Sequence, residues 1–181
     1  DSYIRQSNVA SFVDQDVYTF DAFWYSVQAV YNNGVLSQWS DPINIETFYE
    51  LNGSIFGSLE DTTRPYLVKT SISVESGNNL EIGEGIVIGF EPETRFDVYG
   101  GLSVVGTEID DHMVDFRSVK GDSGNWDGIF LHPAADTVNF TWFSVGEALN
   151  GIQIDNRPVK MKFGGIFGNQ YGLSANGDTL D

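Results

Sequence analysis

The chain contains no cysteine, 2 histidines, 2 methionines and 5 prolines, and 9 lysines and arginines stand against 26 acidic side chains. Each scarcity excludes something. Without thiols there is neither a disulfide framework nor a thiolate metal site, and the redox compartment cannot be read from cysteine usage. A formal charge of −17 with so few cations excludes the clustered Lys and Arg on which phosphate-backbone binding rests, so nucleic acid is not an expected partner. No apolar run approaches the ~18 residues of a membrane span. No stretch beyond about ten residues carries a 3.6-residue apolar period, so almost no helix is expected. The first residues, from Asp1, contain no basic n-region followed by an apolar h-region, which predicts that any secretion signal lies upstream or has been removed.

What remains is β-forming. Aromatic residues make up 14% of the chain, glycine supplies 20 positions, and Val, Ile and Thr recur in short runs between turn signals. The surplus of carboxylates keeps such a protein soluble by repulsion, and carboxylates are also hard oxygen ligands for Ca²⁺. Asn52-Gly53-Ser54 and Asn139-Phe140-Thr141 match the N-glycosylation acceptor pattern, a motif short enough to arise by chance.

From Leu51 onward an apolar phrase recurs that ends on an aromatic: Ile86-Val87-Ile88-Gly89-Phe90, Met113-Val114-Asp115-Phe116, Phe140-Thr141-Trp142-Phe143 and Met161-Lys162-Phe163. The closing phenylalanines fall 26, 27 and 20 residues apart, the spacing of a solenoid whose turns must stack to bury their faces. Two further kinds of short run alternate with these phrases. One comprises Ser71–Val74, Phe96–Tyr99, Gly128–Leu131 and Gly151–Ile154, with Gly172–Ala175 opening another; the other comprises Asn79–Ile82 and Gly101–Val105. Their alternate residues are expected to point into one hydrophobic column, with Ser76-Gly77-Asn78-Asn79 and Gly83-Glu84-Gly85 as corners.

The first fifty residues read differently. Phe23 to Tyr31 alternates as a strand, Asn32-Asn33-Gly34 supplies a tight turn, and Ile43-Asn44-Ile45-Glu46-Thr47 returns antiparallel. Tyr25-x-Val27-x-Ala29, Gly34, Ser37-x-Trp39-Ser40-x-Pro42 and the strand ending in Thr47, preceded by Ser11 to Asp14 and Tyr18-Thr19-Phe20, resemble the last two strands of a fibronectin type III domain and the connection leading into them. The resemblance implies that Trp39 packs in the strand connection. It also implies that the earlier strands of the sandwich lie upstream, so the chain is expected to be a fragment.

Val74 to Phe90 is similar to the Val-x-x-Gly-x-x-Leu-x-Ile-x-x-Gly-x-x-Ile-x-Phe phrase of secreted bacterial right-handed parallel β-helix proteins. Gly101-Leu102-Ser103-Val104-Val105-Gly106-Thr107, Val114-Asp115-Phe116-Arg117-Ser118 and Trp126-Asp127-Gly128-Ile129 continue the resemblance. The expected fold class is thus all-β, a right-handed parallel β-helix preceded by a partial fibronectin type III-like sandwich. The expected organisation is residues 1–49 as the partial sandwich and 50–70 as linker and N-terminal cap. Residues 71–181 form the rungs, expected to continue beyond Asp181.

Motifs that carry chemistry are few. Glu108-Ile109-Asp110-Asp111-His112 is the densest ionisable group, and Asp122-Ser123-Gly124-Asn125-Trp126-Asp127-Gly128 has alternating oxygen ligands without the full EF-hand pattern. Asp110, Asp111, Asp122 and Asp127 are therefore the candidate Ca²⁺ ligands, set against their reading as solvated turns, which is the expected one. His132 beside Pro133 reads as a turn residue, and Arg157, Lys160 and Lys162 as a solvated basic face. No catalytic residue and no organic cofactor site is assigned. The functional expectation is a non-catalytic structural or adhesive region of a secreted or cell-surface multidomain bacterial protein. Its partners would be other domains of the polypeptide, neighbouring subunits or surface carbohydrate. The alternatives are a fragment of a carbohydrate-active β-helix lyase or hydrolase, and a filament subunit completed by strand addition.

Overall fold

The computed structural model describes residue 11 and residues 13–109, 112–134 and 136–176. The chain divides into two compact units, with the boundary between Thr47 and Phe48. All regular elements among the described residues are strands.

In the first unit β1 (Ala22–Tyr25) pairs antiparallel with β2 (Ile43–Glu46), Ala22 opposite Glu46 and Tyr25 opposite Ile43. The strand predicted through Tyr31 stops its regular ladder at Tyr25. Beyond it, the Ser37 hydroxyl accepts from the Ala29 amide at 2.9 Å and the Ser40 hydroxyl from the Val27 amide at 3.0 Å. Ser side chains thus take the place of strand carbonyls, which satisfies the backbone while breaking the regular pairing. The turn closes at Gly34, whose φ of 78° lies in the left-handed region. Trp39 is 54% exposed rather than packed, because no second layer covers the pair among the described residues of this unit.

The second unit is solenoid-like. Its strands are, in chain order, β3 (Tyr49–Ser54), β4 (Gly57–Leu59), β5 (Tyr66–Val74), β6 (Asn79–Ile82), β7 (Val87–Phe90), β8 (Arg95–Val98) and β9 (Gly101–Val105). They continue with β10 (Val114–Ser118), β11 (Trp126–Leu131), β12 (Val138–Gly146), β13 (Ala148–Asp155), β14 (Val159–Phe167) and β15 (Tyr171–Asn176). Every pairing among them is parallel, in one 13-stranded hydrogen-bonded set. Parallel neighbours need a long return connection, and here the return is the remainder of each coil rather than a helix.

The register sorts the strands into three faces. The first stacks the N-terminal parts of β3 and β5 with β7, β10 and the C-terminal parts of β12 and β14. The second stacks the ends of β3 and β5 with β8, β11, β13 and β15. The third stacks β4, β6, β9 and the beginnings of β12 and β14. β3, β5, β12 and β14 each bend around a corner and so serve more than one face. The segment 50–70 supplies most of β3, all of β4 and the start of β5, an opening coil paired in parallel with the next.

In-register stacking places like on like. Ile72, Phe96, Ile129 and Ile152 form one buried column, Ile82, Val104 and Phe140 another, and Ile88, Phe116 and Val145 a third. Coils about 4.8 Å apart let these side chains touch directly, and each fully buried one stabilises the fold by about 1.5–3 kcal/mol. Trp126-Asp127-Gly128-Ile129 open β11, with a register shift between Gly128 and Ile129. Trp126 is buried and stacks on Phe90 at 4.0 Å, and its Nε1 donates to the Gly146 carbonyl at 3.0 Å. At Gly128 φ is 117°, and a Cβ there would collide with the Asn150 carbonyl, so no other residue fits.

The aromatic-ended phrases do not form one column. Phe116 aligns with Ile88, two residues before Phe90, and Ser118 is the residue above Phe90. Phe143 aligns with Val114. Phe163 occupies a corner, 62% exposed with φ of 54°, stacked at 4.5 Å on Trp142, whose φ is 51°. Spacing in sequence counts residues in loops as well as strands, so a regular count does not fix the register.

Candidate functional site

The described ionisable side chains converge most closely on the second face, where coils meet at the corner after β8 and β11. Arg95-Phe96-Asp97-Val98-Tyr99 alternates, so Phe96 and Val98 enter the core while Arg95, Asp97 and Tyr99 turn outward. One coil further on, the ladder continues past Leu131: the His132 amide donates to the Val98 carbonyl at 3.0 Å. Pro133 has no amide to carry the ladder on. This places His132 beside Asp97 although 35 residues separate them.

Asp97 is a buried polar residue, its side chain 9% exposed. Its Oδ1 lies 2.6 Å from His132 Nε2, and its Oδ2 accepts from Arg95 Nε at 2.7 Å. An ionised carboxylate only accepts, so the proton of a neutral His132 ring sits on Nε2 and Nδ1 keeps its lone pair. The ring is stacked on Tyr99 at 4.1 Å and 12°. No described residue forms a hydrogen bond to Nδ1. The chemical capacity of this group is therefore to accept a proton or a hydroxyl hydrogen at the surface.

Beneath it lies Arg157. Its Nη1 donates to the carbonyls of Val98 (2.8 Å) and His132 (3.2 Å), and its Nη2 to those of Gly100 (2.7 Å) and Asp136 (2.8 Å). The guanidinium thus ties the corners of successive coils together, with its own Nε left without a partner among the described residues. Burial pushes its pKa down, with the negative charge of Asp136 acting the other way. The reading of Arg157 as part of a solvated basic face is thereby corrected: Lys160 and Lys162 are exposed, and Arg157 is buried. Asn156 with φ of 40° and Pro158 hold it in a corner rather than in the following strand.

The other candidates that the sequence offers separate in space or fall elsewhere. Asp110 and Asp111 lie outside the described residues. Asp122 is exposed and Asp127 half-buried, and among the described residues no group of three or more His, Asp or Glu side chains is placed to hold a metal ion. His112 lines a depression of about 360 Å³ with Glu60, Thr62, Glu84 and Gly85, its Nδ1 3.5 Å from Glu84 Oε2. The Asp97–His132 pair was not legible in the chain, because partners one coil apart carry no fixed sequence spacing. The outward alternation of Asp97 and Tyr99 was the available signal.

Asp97→Asn is expected to cost about 1–3 kcal/mol of stability, the penalty for weakening partners around a buried polar group. Imidazole ¹⁵N shifts should show a single Nε2–H tautomer for His132 in the parent and a mixture in the variant. A single tautomer in both would mean that Asp97 does not orient the ring.

No protein-family model matches the chain, and neither a curated protein nor a solved structure matches it.

Proposed function

We propose that this chain is a non-catalytic structural and adhesive region of a secreted or cell-surface multidomain bacterial protein. In this reading the second unit is a right-handed parallel β-helix and the first is a partial fibronectin type III-like sandwich. The observation that carries it is where the polar groups are used. Arg157 is committed to corner carbonyls, Trp126 Nε1 to Gly146, the Ser144 hydroxyl to Asp115 at 2.6 Å, and the Asn169 amide to Val145 and Ala148 at 2.9 and 2.7 Å. Each of these bonds joins one coil to another, which is the chemistry of a stiff support. The acidic surface suits exposure to solvent without self-association.

The Asp97–His132 pair is the specific observation on the side of a carbohydrate-active enzyme, and the test addresses it. The full chain is incubated with neutral and uronate polysaccharides, and products are read as new reducing ends and as the absorbance of unsaturated uronates. No turnover above buffer is expected. Turnover that disappears in His132→Ala overturns the non-catalytic reading.

A further inference from the structure

The third face carries a depression of about 390 Å³ that spans successive coils. Asn79, Glu81, Ser103, Thr137 and Asn139 line it. None of these side chains hydrogen-bonds another described residue. Glu81, Ser103 and Asn139 are paired directly, coil upon coil, so their side chains form a row with steps of about 4.8 Å. Gly57 and Gly101 lie within the same lining. A Cβ at Gly101 would collide with Asn79 Oδ1, so the glycine is what lets the Asn79 amide lie across β9.

We infer that this groove binds a neutral oligosaccharide lying along the row; the inference rests on the adhesive reading above and names its ligand. Amide, hydroxyl and carboxylate groups supply both donors and acceptors, the pattern that vicinal sugar hydroxyls satisfy. A step of one coil is comparable to one sugar unit of an extended glycan, so successive units meet successive side chains. Charge selects within the class. Glu81 is the one ionised group in the lining, and the charge of −17 on the chain outweighs Lys160, the next residue of the row beyond Asn139, so uronates and sulfated glycans are disfavoured. Backbone floor and short polar walls favour a slender chain over a folded protein partner.

The test uses the full chain and neutral hexasaccharides of the glucan, mannan and xylan types, with a hexagalacturonate as the anionic probe, in calorimetric titrations. Binding of at least one neutral hexasaccharide and not of the anionic one is expected. Asn79→Ala with Asn139→Ala should weaken it about tenfold, the effect of losing two net hydrogen bonds. Ser103→Trp, which fills the groove, should abolish it, and Lys120→Ala should leave it unchanged. Circular dichroism and Tm establish that each variant is folded.

No binding of any neutral hexasaccharide at millimolar concentration overturns the inference. So does preference for the hexagalacturonate, or affinity retained in both groove variants. The two readings fail separately. Cleavage of a bound hexasaccharide that Ser103→Trp prevents supports the groove and overturns the non-catalytic reading. Absence of hexasaccharide binding overturns the groove alone.

Discussion

Arg157→Ala is expected to lower the unfolding free energy of the solenoid by about 3–5 kcal/mol, read from urea or thermal unfolding by circular dichroism. The guanidinium donates to the carbonyls of Val98, Gly100, His132 and Asp136. Its removal strands the Gly100, His132 and Asp136 carbonyls at a corner of the coil, while the Val98 carbonyl keeps the His132 amide. Each buried acceptor left unpaired costs about 1–3 kcal/mol, and water entering the vacated space offsets part of the sum. Arg157→Lys keeps the charge but not the planar fork, so about half the loss should remain. A change below about 1 kcal/mol for the alanine variant would mean that water serves the carbonyls as well as arginine does. It would also remove the strongest single support for a structural role.

Trp126→Ala should cost a comparable amount, about 3–5 kcal/mol, for a different reason. The indole is fully buried, lies flat on Phe90 and donates to Gly146. Truncation leaves a cavity between coils that the stacked backbone cannot collapse to fill, because neighbouring strands are fixed by their own ladders. Trp126→Phe separates the contributions: it keeps most of the apolar contact and loses the hydrogen bond, so about 1–2 kcal/mol is expected. The same unfolding experiment checks both variants. Equal losses for Phe and Ala would assign the effect to the Gly146 bond rather than to packing.

Much of this fold was legible as short alternating runs. Ile72-Ser73-Val74, Leu80-Glu81-Ile82, Leu102-Ser103-Val104 and Ile129-Phe130-Leu131 each announce which residues are buried, and the structure buries those. Gly77 and Gly85 were legible as corners and take positive φ. The register was not legible. The four phenylalanines that look equivalent along the chain belong to different positions of the coil, since hydrophobicity marks an inward residue without saying which column it joins. The first unit shows the same limit: Val27 and Ala29 alternate as a strand, but the Ser37 and Ser40 hydroxyls, not a regular ladder, meet their amides.

The candidate site was the least legible part. His132 and Arg157 each read as surface residues when judged by their neighbours in the chain. Their partners, Asp97 for one and the carbonyls of Val98 and Gly100 for the other, come from earlier coils.

The sequence by itself determined that the chain is all-β, that its faces alternate, and that Gly77 and Gly85 mark corners, because these are local consequences of side-chain volume, backbone freedom and burial. Only the tertiary structure decided which strand lies on which. In a coil, contacts run perpendicular to the chain, and their identity depends on loop lengths that hydrophobic pattern does not encode. That is why Asp97 meets His132, why Arg157 is buried, and why Asn79, Glu81, Ser103 and Asn139 line one groove.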